Sequence, residues 1–120
     1  MKNSDKVDVK RGDIVLVDLD PTKGSEQGKT RPALVIQNDI GNRYSPTTIV
    51  APLTRSYQKV YPMQVEITPG DAGIHKRSLV LLNQIITIDI EARIVKKLGS
   101  LSQKKLKEVD KAIEISLGLE

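Results

Sequence analysis

A chain of 120 residues with no Phe, no Trp and only three tyrosines, Tyr44, Tyr57 and Tyr61, must fill its core with Ile, Val and Leu. Two of those residue types are β-branched, and their stiff χ1 rotamers suit strands. The length supports one domain with a real core. The apolar runs are short. Ile14, Leu16 and Asp18 alternate with Val15, Val17 and Leu19, a run apolar enough on both sides to predict a strand covered on both faces, ended by Asp20-Pro21. Further strands are expected at Ala33 to Gln37, at Thr47 to Leu53, at Met63 to Ile67, over a longer stretch from Ser78 to Ile88 bent near Asn83-Gln84, and at Ile94 to Leu98. Pro52 should stand only near the end of its strand or at a sheet edge.

Residues 1–9 are polar and read as a flexible tail ahead of a single domain over 10–120. Residues 20–32 read as a long polar loop, and 38–46 as a second loop with one helical turn. The C-terminal segment changes period. Leu106, Val109, Ala112, Ile113, Ser116 and Leu117 recur at helical spacing, while Lys104, Lys105, Lys107, Glu108 and Lys111 face away. Ser102 is a fitting N-cap, Leu101 and Leu106 have the spacing of a hydrophobic staple, and Gly118 suits the C-terminal cap. Short strands followed by one packing helix predict a mainly β fold, a small barrel or strongly bent sheet with a terminal helix.

The formal net charge of +4 is compatible with a polyanionic partner without diagnosing one. Absence of cysteine removes disulfides, thiolate metal sites and cysteine nucleophiles. His75 is the sole histidine, which removes a catalytic His pair and a multi-His metal site; it reads as a surface side chain in the turn 70–77. The carboxylates show no spacing that suggests a magnesium cage. Gly24 and Gly28 of Gly24-Ser-Glu-Gln-Gly28-Lys29-Thr30 are one residue too close for a phosphate loop, and a strand follows instead of a helix. No Gly-x-Ser-x-Gly elbow occurs. No stretch approaches the ~18 apolar residues of a membrane span, and the start has no apolar signal core, so the expected location is the cytoplasm without membrane attachment. Reactive polar groups concentrate in two places, the loop ending at Arg31 and the strand exit Leu53-Thr54-Arg55. A solvated basic loop and a threonine serving local backbone are the ordinary readings of each.

Four stretches change that balance. Arg11-Gly12-Asp13-Ile14-Val15, Asp20-Pro-Thr-Lys-Gly-Ser-Glu-Gln-Gly28 with Arg31-Pro32, Val35-Ile-Gln-Asn-Asp39 with Ser45-Pro-Thr47 leading to Pro52-Leu-Thr54, and Leu82-Asn-Gln-Ile-Ile-Thr-Ile-Asp89 with Arg93 resemble the MazF/PemK ribonuclease toxins. The resemblance spans roughly residues 9–119. It implies a small, partly open antiparallel barrel of the SH3-like type shared by CcdB and PemK toxins, with a C-terminal helix. It also implies a sequence-selective endoribonuclease that needs no metal or other cofactor. The 2′-hydroxyl of single-stranded RNA would attack the neighbouring phosphate, leaving a 2′,3′-cyclic phosphate and a 5′-hydroxyl.

The resemblance puts the catalytic pair at Arg31 and Thr54. A permanently charged planar guanidinium suits two phosphate oxygens, and a hydroxyl can donate to the same oxyanion. For the proton of the 2′-hydroxyl, the resemblance points to Arg31, whereas Glu26 is the conventional base or else orders its loop. Candidate RNA contacts are Gln27, Lys29, Asn38, Asn42, Arg43, Arg55, Lys59, Lys76, Arg77 and Gln84. Asn83 stands where many relatives carry an acid, and the 58–62 loop departs in length from some members, so no recognition sequence transfers. The implied partners are a second copy of the chain, paired about a twofold axis, and an acidic antitoxin that competes for the RNA groove. Two other readings predict different chemistry: a CcdB-like toxin that inhibits gyrase by protein binding, and a non-catalytic RNA-binding barrel.

Overall fold

A computed structural model describes residues 7–19 and 30–119. In chain order its elements are β1 (Asp13–Asp18), β2 (Thr30–Val35), α1 (Asp39–Tyr44), β3 (Thr47–Thr54), β4 (Gln64–Ile67), β5 (Ser78–Leu81), β6 (Ile86–Asp89), α2 (Ile90–Arg93), β7 (Ile94–Ser100) and α3 (Gln103–Leu117). Every strand pairing is antiparallel, in the order β4-β5-β3-β2-β1-β7, with β6 beside the first half of β3. The sheet is strongly bent and open, with the helix at its end, as the sequence pattern predicts.

Alternation along the strands makes two cores. Ile14, Leu34, Ala51, Leu53, Val65 and Val80 point to the face that α3 covers with Leu106, Val109 and Ala112. Val15, Val17, Ala33, Val35 and Val50 point the other way, to a second cluster with Ile88, Ile90 and Ile94. No buried residue is aromatic among those described. The helix is capped as expected: the Ser102 hydroxyl accepts from the Lys105 N–H at 3.2 Å, and Gly118 takes the left-handed φ of 73°. Leu101 and Leu106 are both buried, which closes the staple. Arg11 ties three elements together. Its N–H donates to Asp39 Oδ1 at 2.7 Å, its Nε donates to the Ile36 carbonyl at 2.9 Å, and its guanidinium pairs with Asp110 of α3 at 2.7 Å.

Three expectations are revised. Val9 is buried in the second core and Val7 packs against it, so the inner end of the supposed tail 1–9 is part of the packed structure. Residues 30–32 open a strand and do not end a loop. The stretch Ser78 to Ile88 is two strands. Between the pairs Leu53–Val80 and Val50–Ile86, β3 advances three residues while its partner advances six. The three surplus residues form a turn, with the Gln84 N–H donating to the Leu81 carbonyl at 3.0 Å.

Pro52 is buried two residues from the end of β3, near the strand end as its ring requires. The Ile36 N–H donates to the Ile49 carbonyl at 2.9 Å, and hydrogen-bonded pairs alternate along an antiparallel ladder, so Ala33–Pro52 is a pair that exchanges no hydrogen bond. The Pro52 nitrogen therefore faces the gap where β6 has left β3 and β5 has not yet joined it. A missing N–H costs nothing there.

Candidate functional site

The same alternation explains an opening beside Pro52. The next pair due to exchange hydrogen bonds between β2 and β3 is Pro32–Leu53, and Pro32 has no N–H to give. The β2–β3 ladder stops at Ala33–Pro52. Beyond it β3 turns to β5, pairing Leu53 with Val80 and Thr54 with Leu79. Carried one step past Pro32, the register sets Arg31 opposite Thr54, on the same face of the sheet. Between the separated strands lies a cavity of about 380 Å³, lined by Arg31, Pro32, Leu53, Thr54, Arg55 and Ser78.

Arg31 and Thr54 also line a larger groove of about 980 Å³. Leu79 and Leu81 of β5 contribute its apolar part. The segment after β3 contributes Ser56, Tyr57, Gln58, Lys59 and Tyr61, and Gln64 and Gln84 complete the lining. The Thr54 hydroxyl accepts a hydrogen bond from the Ser56 N–H at 3.2 Å, and its contact to the Ser56 carbonyl is a long 3.5 Å. Its acceptor side is thus occupied and its proton only weakly held, which suits a donor to an incoming oxyanion.

Two short cross-strand rows flank the gap: Val17 with Arg31 on one side, and Thr54 with Leu79 and Glu66 on the other. The Glu66 carboxylate accepts a 2.6 Å hydrogen bond from the Tyr57 hydroxyl and lies 3.5 Å from Arg77 Nε. Burial, then the hydrogen bond to the Glu66 carboxylate, pushes the Tyr57 phenol above its usual range, so it remains a donor at neutral pH. Sequence reasoning did not single out Tyr57 among the three tyrosines, and it missed Glu66 and Gln64 altogether. The one signal available was that an aromatic is scarce in this chain. The pairing of Tyr57 with Glu66 follows no motif and emerges only from the strand register.

Of the residues predicted from sequence, the structure brings Arg31, Thr54, Lys59 and Gln84 to one groove and places Arg55 in the adjoining cavity. Arg77 reaches that region through Glu66, and Lys76 beside it is exposed. His75 is exposed in its turn. Glu26, Gln27 and Lys29 lie outside the described residues. Three candidates stand elsewhere. Asn38, Asn42 and Arg43 belong to α1 and its cap, at the Thr47 end of β3, roughly 20 Å along the strand from Thr54. Asn38 caps the helix by accepting from the Gly41 N–H at 2.8 Å.

Asn42 is not a base reader in this fold: it is 3% exposed, and every hydrogen-bonding position is occupied. Its amide donates to the Gln37 carbonyl at 2.9 Å and to Asp39 Oδ1 at 3.2 Å. Its oxygen accepts from Gln37 Nε2 at 3.1 Å and from the Thr48 hydroxyl at 2.6 Å. Arg43 is exposed, with its guanidinium 5.8 Å from the Tyr44 ring centroid. Among the described residues no three His, Cys, Asp or Glu side chains converge as a metal site, and no helix is long and apolar enough to cross a membrane.

Known proteins resemble this chain in sequence and fold. The family model for the PemK-like, MazF-like toxin of type II toxin–antitoxin systems matches residues 10–117. An endoribonuclease MazF from Staphylococcus saprophyticus is 52% identical over 112 residues, which cover 92% of each chain. The structure of MazE–MazF from Deinococcus radiodurans aligns with a TM-score of 0.76 at 26% identity, over 95% of this chain and 99% of that one. An endoribonuclease in complex with its cognate antitoxin, from a mycobacterial species, aligns with a TM-score of 0.78 over 93% and 97% of the two chains; at 21% identity it speaks to the fold alone.

Proposed function

The chain belongs to the PemK-like, MazF-like toxins of type II toxin–antitoxin systems, and from that premise we propose that it cleaves single-stranded RNA at the gap between Arg31 and Thr54. It is an endoribonuclease toxin, and its partner is an antitoxin. The gyrase-inhibitor and non-catalytic readings give way to an endoribonuclease relative that matches over nearly the whole chain.

The observation that carries the site is that Arg31 and Thr54, from separate strands, line the same groove and the same adjoining cavity where the ladder ends. RNA brings its own nucleophile. With the backbone laid along the groove, the 2′-oxygen attacks the adjacent phosphorus and a P–O bond forms. The bond to the 5′-oxygen breaks, and the proton lost from the 2′-hydroxyl is balanced by one delivered to the departing oxygen. Arg31 meets two non-bridging oxygens with its fork, and Thr54 donates to one of them. The enzyme's main contributions are in-line alignment and stabilisation of the extra charge, with no metal in the scheme. Glu26 is the conventional acceptor for the 2′ proton and Arg31 the one the family resemblance implies; Glu26→Gln separates them.

Two subunits pairing about a twofold axis fit the exposed apolar side chains Ile40 and Tyr44 on α1 and Leu117 and Leu119 at the end of α3. An acidic antitoxin segment suits the basic rim of the groove, and a cytoplasmic location matches an mRNA substrate. The described residues from Val7 onward act as one domain.

The test is cleavage of a long single-stranded RNA by purified protein in excess chelator, with cut ends mapped. Arg31→Ala and Thr54→Ala should each lose about 10²–10³ in rate. Absence of cutting by the wild type removes the ribonuclease reading, and cutting that survives both substitutions moves the site elsewhere.

A further inference from the structure

Two of the three aromatic side chains in the molecule, Tyr57 and Tyr61, line the groove beside Arg31 and Thr54. They are not equivalent. The Tyr61 ring is 50% exposed and carries the Lys59 ammonium 5.6 Å from its centroid. Tyr44, the third, belongs to α1 and faces the Arg43 guanidinium. Tyr57 is fixed differently, by its far end. Its hydroxyl is 2.6 Å from Glu66 Oε2, and Arg77 Nε approaches the same oxygen at 3.5 Å. Glu66 lies in the cross-strand row that contains Thr54, separated from it by Leu79 alone. The sheet that holds the catalytic hydroxyl therefore also holds the anchor of the ring. Among the described residues no cation stands over the Tyr57 face. A flat ring, tethered at its hydroxyl three residues from Thr54, is a surface on which an unpaired nucleobase stacks.

We propose that Tyr57 is the stacking wall for a nucleobase adjoining the scissile phosphate, and that Glu66 is the positioning residue that tethers its far end. The proposal deepens the ribonuclease reading and rests on it. Stacking is tolerant of base identity, so the wall sets where the strand stops in the groove rather than which base it carries. Hydrogen-bonding groups such as Gln64 and Gln84 across the groove are left to discriminate between bases.

The test uses a short 2′-fluoro RNA, which lacks the nucleophile, selected from a random pool for tight binding to the full-length protein. A matching series has each nucleotide in turn made abasic. Tyr57→Ala and Tyr57→Leu should weaken binding of the intact strand by roughly 5- to 150-fold, while Tyr57→Phe keeps most of the affinity. On the strand abasic at the stacked position, wild type and Tyr57→Ala should bind alike. Glu66→Ala should weaken binding only when Tyr57 is present, and Glu66→Gln, which retains an acceptor for the phenol, should restore it. Binding by Tyr57→Leu equal to wild type, or a Tyr57→Ala penalty undiminished on every abasic strand, overturns the proposal. Cleavage of the ribose form of the same strand is scored separately, and its absence counts against the ribonuclease reading, not against the wall.

Discussion

Asn42 shows how a polar side chain in a toxin of this kind can belong wholly to the scaffold. With four hydrogen bonds holding it in a buried position, its removal takes the acceptor from the Thr48 hydroxyl and leaves the Gln37 amide with only the Thr47 carbonyl at 3.0 Å. Asn42→Ala should lower stability by about 3 kcal/mol in denaturant unfolding, and the RNA cut sites of the folded fraction should be unchanged. Asp39, next to it, gives a pH signature. The Arg11 N–H, then the Asn42 amide and the Lys10 and Arg11 charges, hold its carboxyl below the ordinary value of 3.8 despite some desolvation. A carboxyl depressed in the folded state adds stability that is fully present above the unfolded value and lost as pH falls through the folded one. The stability gap between wild type and Asp39→Asn should stay constant from neutral pH down to about 5 and narrow progressively below it, read by unfolding curves at each pH. A gap that closes between pH 7 and 5 assigns the effect to another group.

At the scale of elements, two prolines decide where the site opens. Pro52 lets β3 change partners without an orphaned donor, and Pro32 stops β2 from following β3 past Ala33. Pro32→Ala supplies the absent N–H and lets the ladder close by one more hydrogen bond. The variant should be equally stable or about 1 kcal/mol more stable, yet cleave RNA up to about 10²-fold more slowly, because Arg31 and Thr54 are drawn out of register with the phosphate. Single-turnover cleavage beside denaturant unfolding checks both halves, and unchanged cleavage refutes the role. From sequence, α3 was legible to its caps because Ser102, Gly118 and the 3.6-residue period are all local signals. The strands were legible from their Ile and Val runs. The role of Pro52 was not, since it depends on which neighbour lies on which side, a non-local fact. The same holds within the site: Arg31 and Thr54 carry a family signature, whereas Asn42 shares the chemistry of a base reader and only its burial reveals otherwise.

At the scale of the molecule, the net charge of +4 is spread over many lysines, and only some of them border the groove. Each phosphate neutralised by a lysine or arginine releases condensed counterions, so log affinity falls with log salt by about 0.7 per contact for a single strand. Lys59→Ala should flatten that slope by about 0.7, whereas Lys104→Ala, on the outward face of α3, should leave it unaltered in a binding titration across ionic strengths. Equal slopes for wild type and Lys59→Ala would place the backbone path elsewhere.

Strand β3 has a further consequence for the intact protein. It begins against β6, passes β2, and ends against β5, so it belongs to both halves of the bent sheet and delivers Thr54 from the far one. Arg31 arrives from the near one. The spacing of the two proposed catalytic groups is therefore a gauge of the angle at which the halves meet, and a small flexing of that hinge line changes it while every strand is still in place.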